Sequence, residues 1–337
     1  MKLSKKNQLS SELLIIDGLW GSGKSVVTEL VSIFDSMECW SIDQAFDHIP
    51  RLFGVKAINQ DAATSLIQYL FDSLTYRTCI SRSINFRFQD QTSVFNHPKK
   101  YDYLLRVFEK DGNAALEKIS RNKMIIPIAT HMSSFDNDLF LRALGGRCKI
   151  IICTRHPLFV VEHWSNYIGR CQLDPRDTAL KIDFNGEDIP LFAHGWEEEY
   201  LKANDIERSI KSISLLVDSY KVNIKKMKKE YGNNSVLEIP FEDAVMRTEN
   251  VVSLMSTFLN RNINTKLYKR AKKRARLPRN TIVSGLGYAS FDWKYGTIKE
   301  ESDEVIIKER LSLIKKQVRP EYYHNLTLMI SDYEQIT

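Results

Sequence analysis

The sequence predicts an α/β fold: a parallel sheet flanked by helices on both faces, in three layers, with ligands bound beyond the carboxyl ends of the strands. Three observations predict it. Short apolar, β-branched runs recur along the chain and read as buried strands; amphipathic helical patterns separate them; and the first run leads into a glycine-rich turn that opens a helix.

The first strand is LLIID (13 to 17), followed by the helical pattern SVVTELVSIFDSM. A second strand is read at ECWSID (38 to 43), and the helical DAATSLIQYLFDSLTYRTCISRSI fills much of the gap before a third, MIIPIAT (124 to 130). DNDLFLRALGG joins the third to a fourth, KIIICT (149 to 154), and stops at its glycine pair. After Thr154-Arg155-His156-Pro157 a helix is expected over LFVVEHWSNYIGR, because proline is tolerated where a helix begins. A long charged tract, ERSIKSISLLVDSYKVNIKKMKKEYG, carries an apolar stripe, ends at Gly232 and reads as structural. The fifth strand, SVLEIP (235 to 240), leads into PFEDAVMRTENVVSLMSTFLNRNI, whose Glu242 and Asp243 read as caps and local hydrogen-bond acceptors.

With 337 residues, 43% of them hydrophobic, the chain reads as one α/β domain over 1–337, with insertions at about 82–112, 171–196 and 277–302. Long irregular segments of this kind serve as lids or are disordered. The aromatics Phe86, Phe88, Phe95, Tyr101 and Tyr103 make the first a packed cover for an acceptor site. Five cysteines without C-x-x-C spacing (Cys39, Cys79, Cys148, Cys153, Cys171) argue against a disulfide framework and a zinc site, and read as reduced core thiols. The basic N-terminus runs straight into the glycine-rich turn, so cleavage as a signal would destroy that turn; no run approaches the roughly 18 apolar residues of a membrane span. A cytoplasmic protein without a membrane span is the expectation.

The chemistry starts at residues 14 to 25, LIIDGLWGSGKS, where Gly18, Gly23, Lys24 and Ser25 keep the G-x-x-x-x-G-K-[ST] spacing of a phosphate-binding loop. Gly21, Ser22 and Gly23 let successive backbone N–H groups converge on an anion. Lys24 adds a mobile charge, expected to be exposed and ligand-facing, and the next helix points its positive end at the same place. His131, at the end of the third strand, has the ordinary pKa of about 6.5 that suits a base at neutral pH, though a structural histidine reads equally well there. Arg155, at the end of the fourth, offers a guanidinium fork suited to phosphate. The net charge of +6 is concentrated in YKRAKKRARLPR (268 to 279), a solvated helix face or an anion-binding surface; no nucleic-acid module surrounds it, and no nucleic acid is expected.

Together these blocks resemble the sulfotransferase superfamily, which shares the P-loop three-layer fold and uses 3′-phosphoadenosine 5′-phosphosulfate (PAPS) as donor. IATHMS is similar to the family's K-T-H-L-P segment; CKIIICTRHPLFVVEHW looks like the strand, arginine and helix that hold the donor's 3′-phosphate; VLEIPFEDAVMRTENVVSLMSTFLN resembles its tyrosine-Glu-Asp-Leu segment and following helix. The resemblance implies His131 as base, Lys24 at the leaving phosphate, Arg155 with Ser165 or His163 on the 3′-phosphate, and no metal. Its serine eight positions beyond the arginine is His163 here, with Ser165 two later. Its late R-K-G motif lacks a clean counterpart, although Arg276, Arg279, Gly285 and Gly287 precede a similar Asp292-Trp293-Lys294. The family's own loop is of the P-K-S-G-T-T type, whereas this one is complete in the ATPase manner.

An ATP-dependent small-molecule kinase is therefore the alternative, with Ser25 on Mg²⁺, Asp43 as base (Asp47 lies nearby) and an arginine from 82 to 87 or 155 to 170 over the phosphate. Against it, neither KIIICT nor MIIPIAT ends in the acid a Walker-B strand supplies, and His131 has no role. A nucleotide-binding scaffold without catalysis is a third reading. The expected partners are a nucleotide donor and a small-molecule or saccharide acceptor.

Overall fold

A computed structural model describes residues 2–9, 11–135, 137–170, 174–175, 177–282 and 302–335. Four parallel strands form its main sheet: β1 (Glu12–Gly18), β2 (Ile125–Ala129), β3 (Cys148–Thr154) and β6 (Val236–Pro240), in the order β2-β1-β3-β6. Alternate side chains of β1 and β3 feed two cores. Leu13, Ile15, Ile150 and Ile152 pack with Phe71, Phe140 and Trp164 on one face; Leu14, Ile16, Ile151 and Cys153 pack with Val27, Leu30 and Met255 on the other. Because every strand of this sheet is parallel, Gly18, Ala129, Thr154 and Pro240 all end on one edge, and the segments leaving that edge build the site.

The strand expected at 38 to 43 is corrected. That segment meets β2 only through isolated bridges, Met37 to Ile125 and Ser41 to Ile128. Ile125, Pro127 and Ala129 turn their backbone groups toward it: Glu38 N–H donates to Ile125 O, Ser41 N–H to Pro127 O, and Ala129 N–H to Ser41 O. Pro127 has no N–H to return, so the ladder breaks in its middle.

Helices fall largely where the pattern placed them. Asn59 accepts from Ala62 N–H and starts Gln60–Cys79; Asn204 and Glu207 form a capping box that starts Asp205–Tyr231, which ends at Gly232. The helix expected after β6 is two, Phe241–Met246 and Thr248–Leu259, because Arg247 leaves helical geometry at φ −112° and ψ 42°. Of the cysteines, Cys39, Cys79, Cys148 and Cys153 are free and buried, and Cys171 lies outside the described residues. Among the described residues no helix is long and apolar enough to cross a membrane.

Two insertions are more ordered than expected. Residues 181 to 190 form an antiparallel hairpin, β4 (Lys181–Phe184) with β5 (Glu187–Pro190), turned by Asn185 and Gly186 at φ 56° and 85°. Asn-Gly is the dipeptide that favours such a turn, a signal the sequence reading passed over. In 82–112 the helix Lys100–Arg106 is anchored on Glu38, which accepts from Tyr103 Oη at 2.6 Å and from Arg106 Nη1 at 2.6 Å and Nη2 at 3.1 Å, all three side chains buried. Arg106→Ala is expected to destabilise the fold by about 3–5 kcal/mol, because it leaves Glu38 buried without its cation. Urea denaturation measures this, and a loss near zero would mean that Glu38 is solvated. Of the third insertion, residues 283–301, including Gly285, Gly287 and Asp292-Trp293-Lys294, lie outside the described residues.

Candidate functional site

β1 delivers the glycine-rich loop to the carboxyl edge, and the helix Lys24–Val31 opens directly from it. Gly21 (φ 80°) and Gly23 (φ 90°) are needed there: a Cβ on Gly21 would lie 2.6 Å from the His163 side chain, and one on Gly23 only 2.1 Å from the Phe241 ring. Lys24 corrects the expectation of an exposed charge. It is 8% exposed, and its Nζ donates to Gly18 O and Leu19 O, each at 2.8 Å, so the loop folds around its own lysine. Burial lowers the Lys24 pKa, with Asp17 opposing. The Asp17 carboxylate, fully buried, accepts from Ser133 N–H at 3.3 Å and Ser134 N–H at 2.7 Å, tying the segment after β2 to the end of β1. Ser22 Oγ is buried without a protein partner, whereas Ser25 is exposed on the first helical turn.

His131 follows β2 and meets Asp47, which the helix Ala45–Gly54 carries over the same edge. His131 N–H donates to Asp47 Oδ1 at 2.6 Å, its ring Nδ1 lies 3.1 Å from Oδ2, and Ser133 Oγ donates to Oδ1 at 2.7 Å. A carboxylate only accepts, so this contact assigns the ring proton to Nδ1 and leaves Nε2 as an acceptor. Burial and then Lys24 lower the His131 pKa, with Asp47 opposing them. Burial alone would raise Asp47; the hydrogen bonds from His131 and Ser133 outweigh it and hold the carboxyl below its ordinary value.

His131 and Asp47 line a cavity of about 380 Å³ with Trp20, Arg51, Tyr167 and Phe192 among its other walls. The Trp20 ring, on the phosphate loop itself, lies 6.1 Å from His131, 4.4 Å from Tyr167 and 5.9 Å from Phe192. Asp177, beside them, accepts from Tyr167 Oη at 2.6 Å. The cover comes from the insertion at 171–196. None of the lining comes from 82–112, which corrects the acceptor-cover expectation for that segment.

Beyond β3, Arg155 Nη1 donates to Gly21 O at 2.9 Å, its guanidinium lies 4.4 Å from the Phe241 ring centroid, and its Nε is buried without a partner. Arg279 reaches the same ring at 5.9 Å, held by its N–H to Val245 O at 2.7 Å. Burial, and then Arg155 and Arg276, lower the Arg279 pKa, so the three guanidinium groups share one field; Arg276 is exposed just past the helix Thr265–Ala275. Burial, then Arg155, Lys24 and His131, push the His163 pKa down to about 3, and its ring lies against Gly21. Ser165 turns away: its hydroxyl donates to Glu162 O at 3.0 Å.

Asp43 accepts from Ala45 N–H at 3.0 Å, a local turn contact, and does not line the cavity. Glu242 accepts from His156 N–H at 3.0 Å and from Tyr333 Oη at 2.5 Å, and Asp243 pairs with Arg247. Asp243 is a local acceptor as expected, whereas Glu242 ties together distant segments, and neither caps its helix with a side-chain hydrogen bond. Sequence reasoning singled out Asp47 and His131 separately and missed that they form one unit. It passed over Trp20, Phe241 and Asp17, for which nothing beyond proximity to the loop or a strand end is a signal.

No protein-family model matches the chain, and no curated protein matches it. Among solved structures it is similar to the sulfotransferase STF9 from Mycobacterium avium (11% identity, 81% of this chain and 71% of that one, TM-score 0.40). It is also similar to mouse sulfotransferase SULT7A1 complexed with PAP (11% identity, 98% and 91% covered, TM-score 0.37). A third is a sulfotransferase from Alicyclobacillus acidocaldarius (12%, 80% and 92%, TM-score 0.35). At identities and scores this low, any function has to be argued from side-chain geometry.

Proposed function

We propose that this chain is a sulfotransferase, moving a sulfuryl group from 3′-phosphoadenosine 5′-phosphosulfate to a hydroxyl acceptor. The observation that carries the reading is the Asp47–His131 pair, set in the wall of a cavity that shares Trp20 with the phosphate loop. The residues present fit such a donor. Ser22 Oγ and Arg155 Nε are buried donors without partners, and the positive φ of Gly21 and Gly23, packed against His163 and Phe241, gives the loop its turn. The loop from Gly18 to Ser25 would hold the 5′ end, and Arg155, Arg276 and Arg279, with His163 beside them, the 3′-phosphate; Ser165 has no part in this arrangement.

The donor, when bound, supplies the transferable sulfuryl group. His131, neutral at pH 7, takes the acceptor's proton on Nε2, and Asp47 stabilises the imidazolium that results. Lys24 and the loop N–H groups place positive charge where the leaving phosphate oxygen gains negative charge. The acceptor is proposed to be a saccharide, because the Trp20, Tyr167 and Phe192 rings offer faces to sugar C–H groups while Arg51 and Asp177 offer hydrogen bonds.

Titration calorimetry tests the donor. 3′-Phosphoadenosine 5′-phosphate is expected to bind without Mg²⁺ and more tightly than ATP, and Arg155→Ala to weaken it by about 10-fold or more, the worth of a charge-assisted contact. Tight Mg²⁺-dependent ATP binding, with no response to the 3′-phosphorylated nucleotide, would return the exposed Ser25 to the kinase role and sink the proposal.

The dyad predicts a pH profile. Activity rises with pH as His131 loses its proton, and because burial and Lys24 lower its pKa the acid limb should lie below pH 6.5. Asp47 raises that pKa, so Asp47→Asn is expected to move the limb to lower pH while cutting kcat about 10-fold or more. A limb unmoved by Asp47→Asn would mean that another group titrates.

A further inference from the structure

The helix Lys100–Arg106 is mounted inside out. Its inward side carries Tyr103 and Arg106, both pinned to Glu38, while the side turned to solvent is apolar. Tyr101, Leu104 and Leu105 share one helix face, and Phe108 lies in the turn just past its end; they are 68%, 36%, 66% and 87% exposed. Phe88, 75% exposed, packs at 5.6 Å on Phe95 of the same insertion. None of this serves the cavity.

A second stripe adjoins it. The helix Thr265–Ala275 has no acidic residue, and Lys266, Lys269, Arg270 and Lys273, again on one face, are exposed and make no ion pair among the described residues. Arg274 ties this helix to the insertion by donating to Asn96 O just before Lys99 and Lys100, and it pairs with Glu29 at 2.8 Å. The apolar stripe and the cationic stripe therefore meet at residues 96 to 100.

We propose that these two stripes form a docking surface for an anionic lipid bilayer, on which the protein lies peripherally. An apolar face bordered at one end by cations, with Asp102 on its flank, calls for a partner that is greasy below and negative at its surface, and a bilayer containing acidic headgroups supplies both. A nucleic acid would stack bases on the aromatic rings but leave Leu104 and Leu105 uncovered, and a second copy of the chain would set one cationic helix against another.

Flotation of the full chain with vesicles tests this. The protein is expected to rise with phosphatidylcholine vesicles containing phosphatidylglycerol, at least about 10-fold more than with phosphatidylcholine alone, and to be released as salt rises. Leu105→Glu with Phe108→Glu should remove binding about 10-fold or more without lowering the melting temperature, since both side chains already face solvent. Lys269→Ser, Arg270→Ser and Lys273→Ser together should do the same by removing the charge. Equal partition into both vesicle types, or binding untouched by the two glutamates, would overturn the proposal. So would a dimer by light scattering that the glutamate variant dissociates, since the stripe would then be covered by a second copy.

Discussion

His131→Ala is expected to lower kcat by at least about 10²-fold while changing the donor dissociation constant by less than about 2-fold, because a general base acts on the acceptor's proton and not on the nucleotide. Asp43→Asn, measured on the same acceptor, should leave kcat nearly unchanged, since its carboxylate closes a local turn outside the cavity. Single-turnover kinetics with saturating donor isolates the step. A collapse in Asp43→Asn with His131→Ala nearly active would place the base at the kinase position, and sulfuryl transfer would be abandoned with His131.

Lys24→Ala should cost turnover about 10²–10³-fold, or about 3 kcal/mol or more of transition-state stabilisation, without unfolding the protein. The fold tolerates the loss because the two carbonyls the lysine binds keep backbone donors, Met132 N–H to Gly18 O at 3.3 Å and Ser22 N–H to Leu19 O at 3.1 Å. Thermal melting alongside activity separates the two effects. Near wild-type turnover in a folded variant would mean that the loop is only a turn.

The sheet was legible because LLIID, MIIPIAT and KIIICT are runs buried on both faces and the half-buried edge strand SVLEIP stays mostly apolar, so all four read as strands without knowledge of their neighbours. ECWSID looked the same and failed for a reason in another segment, the missing N–H of Pro127, which no local pattern of 38 to 43 could carry. The site was legible where its spacing is local, as in the loop and the residues at strand ends. It was not legible where two distant segments meet. Asp47 and His131 are 84 positions apart, and Phe241 reaches Gly23 from the far end of β6, so pairing depends on the crossover geometry of the sheet. Lys24 was misjudged because sequence gives a charge and not its direction; the loop's own carbonyls offered it closer partners than solvent.

Trp20 belongs to two places at once, the turn between Gly18 and Gly21 and the wall shared with His131, Tyr167 and Phe192. On the proposed function, a donor nucleotide that rearranges the turn moves the wall on which the acceptor rests, and an acceptor pressing on that wall changes the turn. Thermodynamic linkage makes the effect equal in both directions: whatever factor the first ligand adds to the affinity of the second, the second returns to the first. Donor and acceptor titrated in either order should thus show one common coupling constant, and Trp20→Ala should bring it toward unity.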